Sequence, residues 1–90
     1  MNISFSVCIP TYNGVKYIHK QLESILAQLS KNDEIIISDD HSTDDTIQII
    51  EAFNDDRIRI IKNKKEQGVV NNMENALNHA KGDYIFMADQ

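Results

Sequence analysis

The chain has 90 residues, of which 41% are hydrophobic and 26% are charged, and its formal net charge at pH 7 is -5. A chain of this length makes at most one small domain, which buries roughly 60–65% of its unfolded surface. The negative charge argues against nucleic acid or an anionic membrane surface as a partner, and the single cysteine, Cys8, excludes an intrachain disulfide and a cysteine-based metal site. No run approaches the ~20 apolar residues of a membrane span, so we expect a cytoplasmic protein.

Strand-like and helix-like segments alternate along the sequence. Short apolar runs rich in β-branched and aromatic residues predict strands, and apolar side chains spaced by three and four residues predict helices between them. The predicted strands are Ile3–Ile9, Glu34–Ile37, Arg57–Ile61 and Tyr84–Ala88, and the predicted helices are Val15–Leu29, Thr43–Phe53 and Val70–Ala80. At the helix ends, Ser42 with Asp45 predicts an N-cap in a capping box, and Gly82 predicts an αL cap. Pro10 is expected to end the first strand.

This β-α-β-α-β-α-β order predicts an α/β fold with a Rossmann-like parallel sheet. Right-handed crossovers that move outward through strands two and three, and then return to place strand four beside strand one, give the strand order 3-2-1-4. The direction of winding reverses between strands one and four. Open α/β sheets bind ligands at such a switch point, outside the carboxyl ends of the strands, so we expect a ligand crevice at this seam.

Polar residues that are hard to explain locally follow three of the four predicted strands. Pro10, Thr11, Tyr12 and Asn13 follow strand one, the adjacent acids Asp39 and Asp40 follow strand two, and Asp89 follows strand four. Two adjacent carboxylates repel each other, and Gly or Asn would form the turn more easily. Acids in such a place can also stabilise the start of a helix. The convergence of three polar loops at one edge nevertheless favours a ligand-recognition site.

The glycine content limits the ligands that such a crevice can bind. The three glycines, at positions 14, 68 and 82, cannot form G-x-G-x-x-G or G-x-x-x-x-G-K-S/T. Without a glycine-rich phosphate cradle, a diphosphate can be bridged by a divalent cation that carboxylates hold. Carboxylates also accept hydrogen bonds from a ribose or from a base N–H. A receiver-like signalling domain is disfavoured, because its acid pair would have to follow the first strand, where this chain has Pro10–Asn13.

Three blocks of the sequence, SVCIPTYNGVKYI, EIIISDDHSTDDT and AKGDYIFMADQ, together with the loop that contains Gly68, resemble the start of a glycosyltransferase family 2 enzyme with the GT-A fold. The resemblance runs from about Phe5 to Gln90, and the segment GVVNNMENALNHAKGDYIFMADQ is most similar to bacterial rhamnosyltransferase-like members. It implies that residues 1–90 are a single partial domain, the nucleotide-sugar-binding half of such an enzyme, which stops at the end of strand four.

The resemblance also implies roles for individual residues. Pro10, Thr11, Tyr12 and Asn13 would flank the base and ribose of a UDP- or dTDP-sugar donor, while Asp40 would accept the ring N–H of uracil or thymine and Asp39 would support the turn. Asn72 either contacts the donor phosphates or simply begins the third helix. Asp89 would be the first residue of an Asp-x-Asp element that holds Mn²⁺ or Mg²⁺ against the diphosphate. Neither the second aspartate of that element nor a general base is identified, so no catalytic residue is assigned.

The enzyme that this resemblance implies would transfer a sugar, with inversion, to a saccharide or lipid-linked acceptor in the synthesis of cell-surface polysaccharide, at the inner face of the membrane. The 90 residues alone are expected to be inactive. A non-catalytic nucleotide-sugar-binding module stays open as an alternative, because nothing in the sequence excludes it. We also expect strand four to expose apolar surface at its edge, and this surface would support homo-oligomers.

Overall fold

Four strands and three helices alternate along residues 3–88, the part of the chain that the computed structural model describes. The strands are β1 (Phe5–Thr11), β2 (Glu34–Asp39), β3 (Ile58–Lys62) and β4 (Tyr84–Met87), and the helices are α1 (Ile18–Leu26), α2 (Thr46–Ala52) and α3 (Val69–His79). All three strand pairs are parallel, and the order across the sheet is β3-β2-β1-β4. The predicted α/β class and strand order are therefore confirmed.

The core lies on both faces of the two central strands. Side chains alternate between the faces of a strand, so Ile35 and Ile37 pack in the cluster that includes α1 and α2, whereas Ile36 packs with Cys8 and Ala76 of α3. A strand that is buried on both faces needs an unbroken apolar run, and β2 has one. Burial raises the pKa of the Cys8 thiol, which fits a small core residue.

Helices α1 and α2 are shorter than the apolar spacing predicts, whereas α3 has the predicted length and begins one residue earlier. The Gly14 carbonyl accepts hydrogen bonds from both the Tyr17 and the Ile18 backbone N–H, so the chain makes a turn before α1 begins at Ile18. At the other end, the Gln28 and Leu29 N–H groups bond to carbonyls three residues earlier, which tightens the last turn. Apolar spacing alone does not separate such turns from the regular helix.

Both predicted helix caps are wrong. Ser42 does not cap α2, because its hydroxyl donates to Asp39 Oδ1 at 2.6 Å, and the helix starts after Asp45 without a side-chain cap. Gly82 does not have the positive φ of an αL cap. It lies instead against the start of β1, where an added Cβ would meet Ser6 N at 2.7 Å and Phe5 C at 2.8 Å. Glycine is needed there for close approach and not for chain reversal.

Pro10 does not end β1, which continues through Thr11 and pairs Pro10 with Ser38 of β2. Ala88 N–H donates to the Cys8 carbonyl, so Cys8 turns its backbone groups toward β4. Pro10, two residues later, turns the same way. The β4 pairing ends at Cys8 with Met87, so the missing N–H of Pro10 breaks no bond of the described ladder.

Strand β4 forms an edge of the described sheet and is exposed on both faces. Its four residues, Tyr84–Met87, expose between 41% and 55% of their surface. On one face the Phe5 ring contacts Phe86, with the ring centroids 5.6 Å apart, beside an apolar groove of about 360 Å³. The predicted exposure of apolar surface at this strand is therefore observed. Within residues 3–88, no helix has the length and apolar character needed to cross a bilayer.

Candidate functional site

Asp39 joins the ends of the two central strands. It is the last residue of β2, is 3% exposed, and pairs in register with Thr11 at the end of β1. Its Oδ1 accepts hydrogen bonds from Thr11 Oγ1 at 2.9 Å and from Ser42 Oγ at 2.6 Å, and its Oδ2 accepts one from Ser42 N at 2.9 Å. These bonds use the carboxylate to fix the turn that follows the strand.

Asp40, the next residue, is 5% exposed and faces a different set of donors. Asn63 Nδ2 donates to Oδ1 and the Gly68 backbone N–H donates to Oδ2, each at 2.9 Å. The Asp40 backbone N–H continues the ladder by donating to the Thr11 carbonyl. A carboxylate has about four acceptor positions, and the protein occupies two of them. Asp40 therefore keeps acceptor capacity for an N–H or O–H group of a ligand.

Two residues of the loop after β1 bear on the site, the exposed Tyr12 and the polar Asn13. Thr11 is buried, but Tyr12 exposes 52% of its surface. Asn13 adopts a positive φ of 48°, and its Oδ1 accepts hydrogen bonds from the Thr43 N–H at 2.8 Å and the Asp44 N–H at 3.3 Å. Asn13 therefore holds the loop between β2 and α2 against the loop after β1, while the Tyr12 side chain stays exposed.

Asn72 lies in the first turn of α3 and connects this helix to both central strands. Its side chain is 3% exposed, with Oδ1 accepting from Ser38 Oγ at 2.6 Å and Nδ2 donating to the Thr11 carbonyl at 3.3 Å. The structure thus brings Asn72 to the same strand ends as Asp39 and Asp40, with both polar atoms of the amide bonded to the protein. Pro10, partly buried, lies one residue before Thr11 at this edge.

Asn63 is a site residue that the sequence analysis missed. It is 1% exposed, and its Nδ2 donates to both Asp40 Oδ1 and the Glu66 carbonyl, while its Oδ1 accepts from the Lys65 N–H at 3.1 Å. The signal that could have identified it is positional: Asn63 directly follows β3, so it belongs to the same carboxyl edge as the acids after β2.

The described residues do not by themselves form a metal site. No group of three or more His, Cys, Asp or Glu side chains suited to a cation occurs within residues 3–88, and the carboxylates of Asp39 and Asp40 point to different donor groups. Asp89, the predicted metal ligand, lies outside the described residues. Asp44 has a structural role: the Thr46 hydroxyl, above all, lowers the pKa of its carboxyl, and it bonds the backbone N–H groups of Thr46 and Val15.

Comparison with known proteins extends these observations. The family model described as glycosyl transferase family 2 matches residues 6–90. The chain is 46% identical over 84 residues to the Escherichia coli protein WfaP, a UDP-Glc:α-D-GlcNAc-diphosphoundecaprenol β-1,3-glucosyltransferase, and the match covers 93% of this chain and 34% of WfaP. The chain spans about a third of the length of the curated relatives it matches.

Solved structures show the same arrangement of strands and helices. Staphylococcus aureus TarS 1-349 in complex with UDP matches with a TM-score of 0.82 and 34% identity, over 97% of this chain and 27% of that chain. A Pyrobaculum calidifontis mannosyltransferase in complex with GDP-Man and Mn²⁺ has a TM-score of 0.84 at 24% identity, over 99% of this chain and 28% of that chain, which is evidence for the fold alone. The predicted GT-A fold is confirmed.

Proposed function

Because the chain belongs to glycosyl transferase family 2, we propose that it is the donor-binding part of an enzyme that transfers a sugar from a nucleotide-diphosphate donor. The observation that carries this proposal is the Asp40 carboxylate. It is buried at the carboxyl edge of the sheet, held by one donor on each oxygen, and still able to accept a further hydrogen bond. A carboxylate kept in this way suits recognition of one fixed donor group on a ligand.

The chemistry of a carboxylate narrows the choice of base. An ionised carboxylate only accepts hydrogen bonds. Uracil and thymine present an N–H at ring position 3, whereas cytosine presents an acceptor at the same position, which would leave two acceptors facing each other. We therefore expect Asp40 to favour UDP- or dTDP-sugars over a cytidine nucleotide of the same size. Buried acceptors without a donor are costly, so we expect strong discrimination against cytosine relative to uracil or thymine.

Tyr12 is proposed to contact the base or ribose. It follows Thr11, whose carbonyl accepts the Asp40 N–H, and it exposes 52% of its surface. Aromatic rings at such positions stack on bases. Pro10, Thr11, Asn13, Asp39 and Asn72 are proposed to shape the same site. For the last three, the hydrogen bonds described above support a role in holding the loops in place.

The relatives support a UDP-sugar donor and a lipid-linked or polysaccharide acceptor. WfaP is named for transfer from UDP-Glc to a diphosphoundecaprenol-linked sugar, and the TarS structure contains UDP. We propose the same classes of donor and acceptor for the parent protein, with inversion of the anomeric centre and a location at the inner face of the membrane. Rhamnosyl transfer stays a prediction.

A divalent cation, Mn²⁺ or Mg²⁺, is proposed as the cofactor of the whole enzyme, with Asp89 as one ligand. The related mannosyltransferase structure contains Mn²⁺. Such an ion would neutralise charge on the leaving diphosphate. Since the described residues supply no metal cluster of their own, we expect nucleotide binding by the 90 residues to depend little on the cation.

Two further parts of the proposal concern the chain by itself. We propose that these residues are one partial domain, inactive alone, and that β4 supports self-association through its exposed residues. A monomer that stays monomeric across a concentration series in size-exclusion chromatography would contradict self-association. A non-catalytic binding module is the alternative function; sugar transfer by the parent protein, assayed with UDP-sugars, would exclude it.

The decisive experiment is a calorimetric titration of UDP, dTDP and CDP into the 90-residue chain, with and without Mn²⁺. We expect UDP and dTDP to bind, CDP to bind at least tenfold more weakly, and Asp40→Asn to remove this preference, because an asparagine amide can also donate to cytosine. Asp45→Asn is the matched control, since Asp45 is an exposed acid at the start of α2. Equal binding of UDP and CDP by the folded wild type would contradict the role of Asp40.

A further inference from the structure

Asn63 is the residue through which a second loop reaches the recognition carboxylate. It directly follows β3, is 1% exposed, and places Nδ2 at 2.9 Å from Asp40 Oδ1. The same loop supplies the other donor to this carboxylate, the Gly68 N–H at 2.9 Å from Oδ2, and Gln67 Nε2 donates to the Asp40 carbonyl at 3.3 Å. Residues 63–68 therefore surround Asp40 with donors.

The bonds within this loop show that Asn63 holds it as well as the acid. Asn63 Oδ1 accepts the Lys65 N–H at 3.1 Å, and Nδ2 donates to the Glu66 carbonyl at 3.2 Å as well as to Asp40. One buried amide thus sets the path of residues 63–66 and the rotation of the Asp40 carboxylate together. Two donors on opposite oxygens prevent that carboxylate from turning, so its remaining acceptor positions have fixed directions.

We propose that Asn63 is a positioning residue for nucleotide recognition: it orients the Asp40 carboxylate toward the base N–H without contacting the sugar being transferred. This inference rests on the proposed function, because it assumes that Asp40 receives the base. It assigns a recognition role to the loop between β3 and α3. Because the Gly68 N–H donates to Asp40 Oδ2, the NMR resonance of the Gly68 amide proton should respond to changes at the Asp40 carboxylate, with or without a ligand.

The most informative variant is Asn63→Asp, which changes only the donating nitrogen. It keeps the size of the side chain and an oxygen for the Lys65 N–H, but sets a second carboxylate against Asp40 Oδ1. Two carboxylates at hydrogen-bond distance share a proton, and the upper apparent pKa of the pair rises. Other titratable or charged residues near Asp40 along the two chain segments are unchanged by the substitution: Asp39 and His41 beside it, Lys62 at the end of β3, and Lys64, Lys65 and Glu66 after β3.

The first measurement is a pH titration of the Gly68 amide proton by NMR without any ligand. In Asn63→Asp we expect the resonance to titrate at higher pH than in the wild type, because the shared proton is held between the two carboxylates. Asn71→Asp adds the same charge to a residue whose side chain bonds the Glu66 carbonyl and not Asp40, so it should leave the Gly68 midpoint close to that of the wild type. An equal midpoint in all three proteins would overturn the proposal.

The second measurement is UDP affinity as a function of pH. Below the upper pKa of the pair, the shared proton restores a donor to Asp40 and we expect binding. Above it, the two charges repel and affinity should fall by about tenfold, while the wild type stays flat over the same range. A shifted Gly68 titration together with flat, wild-type affinity would show that the contact is structural only and would overturn the positioning role. Failure of the wild type to bind UDP would instead reject the proposed function, and with it this inference.

A measurement on the wild type tests the proposal even if Asn63→Asp does not fold. UDP should shift the side-chain amide resonances of Asn63 together with the backbone amide of Gly68, whereas CDP at the same concentration should shift neither. UDP-induced shifts at Gly68 with an unchanged Asn63 side chain would overturn the proposal.

Discussion

Asp39 Oδ1 and Thr11 Oγ1 are 2.9 Å apart, so a side-chain hydrogen bond joins the last paired residues of β1 and β2. Removing the acid by Asp39→Ala would take this acceptor away from the buried hydroxyl of Thr11 and from the half-buried N–H and hydroxyl of Ser42. We expect a loss of about 2–4 kcal/mol in the free energy of unfolding, measured with urea. Thr11→Val, which removes one donor at nearly constant volume, should lose about 1 kcal/mol.

A double-mutant cycle separates the energy of the Thr11–Asp39 bond from the other effects of each substitution. Because Thr11 and Asp39 share this bond, the combined variant should lose less stability than the sum of the two single variants. Asp45→Ala is the control for removal of an acid from the same region, and we expect it to stay within about 0.5 kcal/mol of the wild type. Strict additivity of the two buried substitutions would contradict the bond.

Tyr12 allows a test of the proposed nucleotide contact without a change in stability. Because its side chain is 52% exposed, Tyr12→Ala should leave the urea midpoint almost unchanged while weakening UDP binding by about tenfold through loss of stacking. Tyr12→Phe should bind nearly as well as the wild type. Tyr17→Ala, at a tyrosine with 63% exposure before α1, is the matched control. Wild-type affinity in Tyr12→Ala would place the base elsewhere.

Arg57 and Asp55 predict a pH dependence of stability at the opposite edge of the sheet. The Arg57 guanidinium, which also donates to the Leu26 and Leu29 carbonyls at the end of α1, lowers the pKa of Asp55 to about 2. A carboxyl whose pKa is lower in the folded state stabilises the fold above its unfolded pKa of about 4 and loses this effect as the pH falls toward 2.

Asp55→Asn should therefore be less stable than the wild type by about 1 kcal/mol at pH 7, and this difference should shrink between about pH 4 and pH 2. Unfolding with urea at a series of pH values measures it. Asp56→Asn, at the exposed neighbouring acid, is the control and should show no such change. If the stability difference between Asp55→Asn and the wild type persists unchanged to pH 2, the charge of the Asp55 carboxylate does not contribute to it.

We expect a side chain at position 82 to destabilise the fold through a steric clash and not through an unfavourable backbone conformation. A Cβ at this position would lie 2.7 Å from Ser6 N, inside the limit of real contacts, and the clash is with backbone that cannot easily move. Gly82→Ala should lower the free energy of unfolding by about 1–3 kcal/mol. Lys81→Ala at the exposed preceding residue should have little effect on the thermal midpoint. Equal thermal midpoints for Gly82→Ala and the wild type would show that the connection to β4 shifts to make room for the added methyl group.

The sequence was sufficient to predict the fold because its strongest patterns coincide with the sheet. Runs such as Ile35–Ile37 are long enough and apolar enough to specify a strand buried on both faces, and the alternation of strands with helices then leaves few parallel topologies. The same patterns predicted which loops share the carboxyl edge. Membership of a known family agreed with that prediction.

The inner polar contacts could not be predicted in this way, because they join residues far apart in sequence. Asn63 reaches Asp40 across 23 positions and Asn72 reaches Thr11 across 61, and nothing local distinguishes these asparagines from exposed ones. The failed N-cap has a local origin instead. Ser42 has the residue type of a cap, but the buried Asp39 carboxylate three residues earlier accepts its hydroxyl.

Pro10 has a consequence for how far β1 and β4 can pair. It occupies the position in β1 whose N–H would make the next bond toward β4 after the one between Ala88 and Cys8, and a proline ring has no hydrogen to offer. The parallel pairing of β1 with β4 therefore cannot continue through a backbone hydrogen bond donated by residue 10. This limit on the pairing of β1 with β4 is set by a covalent property of one residue.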